Sequence, residues 1–222
     1  MKHMEKALAV LLVLSALFCC LGSAVSFAAD SETKVGDVIS FGHFDKNSDT
    51  PETGEAIEWL VLDVQDNQAL LISKKVLLSR SFNDKGNESS IWEKSSLRKW
   101  LNDEFLKAAF TADEQKAILV STVDNGEEQG SEFWSMLGEP IVGDPTEDKV
   151  YILSYAEALK YFHSDSERSC EKNWWLRSPG SIASNLMYVH DDGAVHDNES
   201  MWDPSSAGVR PVMKVDLDSL NP

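Results

Sequence analysis

Residues 173–180 read Asn-Trp-Trp-Leu-Arg-Ser-Pro-Gly, and two adjacent tryptophans inside an apolar run restrict a fold severely. Successive side chains of a strand point to opposite faces, so at most one of Trp174 and Trp175 can stack on a ligand while the other fills core. We read both as scaffold, in a strand Trp174–Leu176 that Ser178, Pro179 and Gly180 break. Arg177, in the same run, is read as a hydrogen-bonded clamp on carbonyls and a carboxylate, with anion capture as the rival. A second run, Gly208–Leu217 (GVRPVMKVDL), closes the chain as a strand with Val209, Met213 and Val215 on one face. Arg210 is read as Arg177 is. Pro211 cannot donate to a ladder, so it predicts an edge position or a bulge.

The rest of the chain falls into strands, then helices, then strands. Val35–Phe41 and Ile57–Val64 are strands, and Asp66-Asn67 turns the second into a partner over Ala69–Ser73. Leu97, Trp100, Leu101 and Phe105 recur along one helical face after Ser95 or Ser96 as cap. Thr111 with Glu114 opens a short helix through Ile118, and Ser154 with Glu157 opens Tyr155–Phe162, with Leu159 and Phe162 inward. Leu186–His190 and Ala194–Asp197 flank Asp192-Gly193, which reads as a two-residue hairpin turn. Residues 124–148 make a long excursion holding an apolar patch, Phe133–Leu137, that predicts a packed loop. This order predicts α+β, with antiparallel sheets and two to three short helices, in one globular domain over 35–217. Residues 29–34 are a lead-in and 218–222 a tail.

The first residues set the expected compartment. Lys2 and Lys6 precede the apolar Ala7–Leu21, and Ser26-Phe27-Ala28 offers a cleavage site, which together read as a secretory signal peptide over 1–28. The apolar stretch is short for a membrane span and no second one follows, so the expectation is a secreted or cell-surface product without a transmembrane segment in the mature chain. Cleavage removes Cys19 and Cys20, leaving Cys170 alone with no intramolecular disulfide to form. The formal net charge of −17 argues against nucleic acid and anionic membranes as partners. Solubility is its plain account, and attraction for cations the sharper one.

These landmarks together resemble an uncharacterised domain family found widely in secreted proteins of Gram-positive, often gut-associated bacteria. The residues that carry the resemblance are IEWLVLDV from Ile57, WEKSSLRKWLN from Trp92, LSYAEA from Leu153, WWLRSPG from Trp174 and GVRPV from Gly208. The resemblance implies no activity. More distantly, a tryptophan strand, a Gly-turned hairpin and a final VRPV strand look like the closing half of the C-type-lectin-like and formylglycine-generating-enzyme-like folds. Two departures block transfer of their chemistry. Sugar-binding lectins of that fold carry Glu-Pro-Asn or Gln-Pro-Asp, where this chain has Glu139-Pro140-Ile141, and Trp-Asn-Asp, where it has Trp202-Asp203-Pro204. The enzymes use a cysteine pair.

His190 and His196 flank the hairpin turn and invite a metal reading, but a two-residue turn sets His190 opposite Val195 and the two imidazoles on opposite faces. A three-residue turn would bring them to one face. Asp191, Asp192, Asp197, Glu199 and Asp203 offer oxygen ligands without the spacing of a calcium loop, so calcium is a candidate ion and no cofactor is called. Cys170 has no adjacent base and Ser178 no nucleophile-elbow surroundings. The expectation is an exported, non-catalytic recognition domain for an extracellular glycan, peptide or protein. Its binding residues are expected at Trp202, Asp203, Asp191, Asp192, Asp197 and Glu199, with Trp202 the most specific because an aromatic between acids has little obvious core role. The rivals are a hydrolase-like enzyme using the clustered carboxylates Asp191, Asp197 and Asp203, and a structural piece of a cell-envelope assembly.

Overall fold

Two mainly antiparallel sheets carry the fold in the computed structural model, which describes residues 32–45, 54–126, 142–182, 184–205 and 207–220. The signal-peptide reading, Phe133–Leu137 and Glu139–Ile141 lie outside the described residues. The first sheet begins with β1 (Val38–Phe44), β2 (Glu55–Gln65) and β3 (Gln68–Ser73). Trp59 and Val61 are buried on β2, and β3 is buried along most of its length. Asp66 and Asn67 join them with φ of 49° and 60°, the left-handed pair that a two-residue hairpin needs and short polar side chains tolerate. β4 (Leu78–Ser79) already belongs to the second sheet.

A helical stretch follows. Ser95 caps α1 (Ser96–Trp100) by accepting from the Arg98 N–H. A π-helical turn over Leu101–Phe105 leads into α2 (Leu106–Ala109). Leu97, Leu101 and Phe105 are buried as their spacing predicts, and Trp100 nearly so. Asn102 lies in this π turn. Its amide donates to the carbonyls of Arg98 and Val150, and its oxygen accepts from the N–H groups of Lys149 and Val150. Thr111 and Glu114 form the expected capping pair for α3 (Glu114–Ala117), but the chain turns extended at Ile118. There β5 (Ile118–Leu119) joins the first sheet, and β6 (Ser121–Val123) pairs with β7 (Thr146–Asp148) across the long excursion.

β8 (Val150–Tyr151) leads to α4 (Tyr155–Tyr161), which opens on a complete Ser154–Glu157 capping box. Phe162 is buried, but Leu159 is 40% exposed and Ala158 takes the inward position instead. After α5 (Asp165–Arg168), the second sheet is built from β9 (Trp174–Pro179), β10 (Asn185–Val189), β11 (Val195–Ser200) and β12 (Gly208–Val209). Its order is β11-β10-β9-β12-β4, with β9 and β12 parallel at Trp174 and Gly208. β9 runs through Ser178 and Pro179 rather than stopping before them, and all six of its residues are buried.

The closing run is not one strand. It divides at Arg210-Pro211, and β13 (Val212–Asp216) lies inside the first sheet, ordered β1-β2-β3-β13-β5 with β8 also on β13. Pro211 therefore sits just ahead of an inner strand, not on an edge. Its missing N–H costs nothing at this corner, while its carbonyl accepts from the Ser73 N–H at 2.9 Å. Ser73 ends β3 where the chain crosses toward β4, so two crossings run side by side and tie the sheets together. The architecture agrees with the α+β expectation. Among the described residues no helix is long and apolar enough to cross a membrane.

Candidate functional site

The tryptophan–arginine signature is spent on scaffold. Trp174 and Trp175 are fully buried, and their indole N–H groups donate to the carbonyls of Arg168 and Arg80. Arg177 is buried and donates to the carbonyls of Ile152 and Asp124, to Asn125 Oδ1 and to both carboxylate oxygens of Glu157. That is the clamp on carbonyls and a carboxylate, and it leaves the guanidinium no free edge for a ligand. Arg210 donates from Nε to the Ser73 carbonyl and lies over the rings of Trp174 and Phe162 at 4.8 and 5.6 Å. Pro179 pairs with Leu186, and the Gly180 N–H donates to the Asn185 carbonyl at 2.8 Å. A Cβ on Gly180 would stand 2.2 Å from the Asp197 carbonyl oxygen, so only glycine fits where the hairpin folds over it. The Ser178 Oγ accepts from the Tyr155 N–H at the start of α4.

The exposed chemistry gathers on the β10–β11 hairpin. Its register pairs Val189 with Val195 and Tyr188 with His196, and the His190 N–H donates to the Ala194 carbonyl. The turn is therefore the three residues Asp191-Asp192-Gly193, not Asp192-Gly193. His190 lies opposite Ala194, and both histidines fall on the Tyr188 face. Their ring centroids are 5.7 Å apart, and His196 stacks on Tyr188 at 5.4 Å. Asp191 and Asp192 put carboxylate oxygens 2.9 and 3.1 Å from His190 Nδ1. The Ala194 N–H first, and then His190, hold the Asp192 carboxyl below its usual range. Burial raises the Tyr188 phenol, and the charges of Glu199, Asp192 and Asp197 add to it, so this face carries a negative field.

The turn is tied to α5 rather than left free. Arg168 is buried, and its guanidinium donates to the Gly193 and Phe162 carbonyls and pairs with Asp165. Gly193 has φ of 93°, and a Cβ there would lie 1.8 Å from the Asp165 carbonyl oxygen. Asp191 donates its N–H to Asn173 Oδ1, and its carbonyl accepts from the Cys170 N–H and Ser169 Oγ. Cys170 is half-buried and its thiol donates to Glu171; burial first, and that contact second, push its pKa up, away from a reactive thiolate.

Between α4 and the hairpin lies a groove of about 390 Å³. Leu159, Met187 and Val195 line it with apolar surface, Tyr155 stands at one end, and His196 and Asp197 bring the polar groups. Sequence reasoning missed this groove and Arg168 beneath it, although the misassigned Leu159 was the available signal: an apolar residue that turns out to face outward. Trp202 differs from expectation in the other direction. Its indole packs against the core and its Nε1–H donates to the Asn87 carbonyl at 2.8 Å, so it anchors the loop to the 83–96 segment. Asp203 is exposed and accepts from Ser205. Among the described residues the histidine–carboxylate cluster consists of His190, Asp191 and Asp192; Asp197, Glu199 and Asp203 stand outside it.

Residues 66–217 match the family described as "Domain of unknown function (DUF6273)". No curated protein and no solved structure matches the chain.

Proposed function

The chain belongs to the DUF6273 family, and from that premise we propose that it is an exported, non-catalytic recognition domain that binds an extended, positively charged peptide segment in the groove between α4 and the β10–β11 hairpin. The observation that carries this reading is the pairing of an apolar floor, Leu159, Met187 and Val195, with a rim of His196 and Asp197, in a chain of formal net charge −17. An apolar floor supplies affinity and the acidic rim selects lysine- or arginine-bearing segments over acidic ones. Arg168, the cation lining the groove, is committed to Asp165 and two carbonyls and does not offset that field. β11 ends the order of its sheet, so an extended segment has a strand edge to lie along.

A C-type-lectin-like arrangement is part of the same proposal, with β9, the β10–β11 hairpin and β12 as the closing half of that fold. Export is another part, and N-terminal sequencing of the protein recovered outside expressing cells tests it: the expected first residue is Ala29. Peptide and glycan arrays probed with the protein and with Leu159→Asp test the ligand. Basic peptides should bind in a salt-sensitive manner, and the variant should lose that signal without unfolding. Binding confined to glycans, or peptide binding indifferent to Leu159→Asp, would refute the groove reading.

A further inference from the structure

We propose that the hairpin tip is a site for a divalent transition-metal ion, held by His190 Nδ1 and one carboxylate oxygen each from Asp191 and Asp192. The three donor atoms lie within 4.8 Å of one another, and the two carboxylate oxygens stand 2.9 and 3.1 Å from the ring nitrogen. Nδ1 is shut off from solvent and has both oxygens within ion-pair distance, neither of them well aligned for a hydrogen bond. A ring N–H points along one line in the ring plane, so oxygens displaced from that line cannot share its proton well. A cation placed between the three atoms satisfies all of them without that directional demand.

The ligand set also selects the ion. Calcium prefers oxygen ligands throughout. An imidazole nitrogen with two carboxylates suits zinc, nickel, iron or copper instead. His196, whose ring centroid is 5.7 Å from that of His190, is the candidate further donor. The hairpin supplies the rigidity such a site needs. Asn173, Cys170, Ser169 and Arg168 hold the turn backbone from one side, and the Ala194 N–H fixes Asp192 Oδ1 from within.

Calorimetry on untagged, chelator-stripped protein tests the site near neutral pH. Zinc or nickel chloride should bind at one ion per chain with micromolar or tighter affinity and raise the melting temperature; millimolar calcium should do neither. His190→Ala and Asp192→Asn should each weaken binding at least about tenfold, with unchanged far-ultraviolet circular dichroism. Cys170→Ser should bind as the parent does, which separates the tip from the thiol. The proposal is overturned by an absence of saturable heat with zinc and nickel, by affinity that survives both tip substitutions, or by calcium binding in preference to either ion. Loss of zinc binding in Cys170→Ser alone also overturns it. The groove is probed by Leu159→Asp, which leaves the three tip ligands in place, so the two proposals fail separately.

Discussion

Replacing Arg177 by methionine keeps the bulk of the side chain and removes its guanidinium, and the cost follows from its partners. The Ile152 and Asp124 carbonyls lose donors at 2.9 Å, and Glu157 loses the cation that neutralises it. Breaking a buried ion pair from one side costs about 3–5 kcal/mol. Glu157 retains a quarter of its side-chain exposure and still accepts from the Ser154 N–H, so its share falls at the low end. We expect a loss of about 3–4 kcal/mol, read as a shift in denaturant midpoint, and a melting temperature lower by about 10 °C for a protein of this size. Glu157→Gln alone should cost less. The double variant should fall short of the sum of the two by about 1–2 kcal/mol, because both substitutions remove one shared contact. A loss under about 1 kcal/mol for Arg177→Met, or strict additivity, would refute the clamp and reopen Arg177 as an anion-binding residue.

Gly193→Ala should cost more than about 2 kcal/mol by thermal denaturation, because the new Cβ meets the Asp165 carbonyl at 1.8 Å in a left-handed conformation; parental stability would contradict the turn geometry. Trp202→Ala should lower stability by about 2–3 kcal/mol with no ligand present, since it removes packing and the bond to the Asn87 carbonyl. A stability-neutral Trp202→Ala would restore the exposed-anchor reading. Burial, reinforced by the Glu157 charge, pushes the Tyr151 phenol far above its ordinary range. A raised folded-state pKa gives stability that is whole below about pH 10 and falls as pH rises beyond it. Absorbance near 295 nm should therefore show one tyrosine ionising only as circular dichroism reports alkaline unfolding, and Glu157→Gln should move that step to lower pH.

Local signals carried much of the architecture. The Thr111–Glu114 and Ser154–Glu157 pairs satisfy helix N–H groups within a few residues, and the Asp66-Asn67 turn needs only a left-handed pair, so each is readable without knowing the fold. The misses came from distant partners. Gly208–Leu217 has the composition of one strand, yet Gly208 pairs with Ser79 and Val212 with Ile72, and the division between sheets is dictated by residues far away in sequence. Trp202 looked free for the same reason, its partner being Asn87. Leu159 fits an amphipathic helix on spacing alone, but α4 meets the core through Ala158 and Phe162, and Leu159 is left to floor the groove.

The candidate site turned on a single residue of loop length. Asp192-Gly193 is compatible with a two-residue turn and with the end of a three-residue one, and nothing local decides between them. The decision comes from α5, where Arg168 draws the Gly193 carbonyl to itself and the Asp165 carbonyl leaves no room for a Cβ at Gly193. That anchoring places Asp191 within the turn, and one added residue changes the parity of every pair across the hairpin. His190 then shares a face with His196, and its ring nitrogen meets two consecutive carboxylates. Arg168 is thus the residue that assembles the tip, without being one of its ligands. Loosening it with Arg168→Lys, which keeps the charge but loses the fork of donors, should weaken zinc binding more than it weakens the basic-peptide signal from the groove.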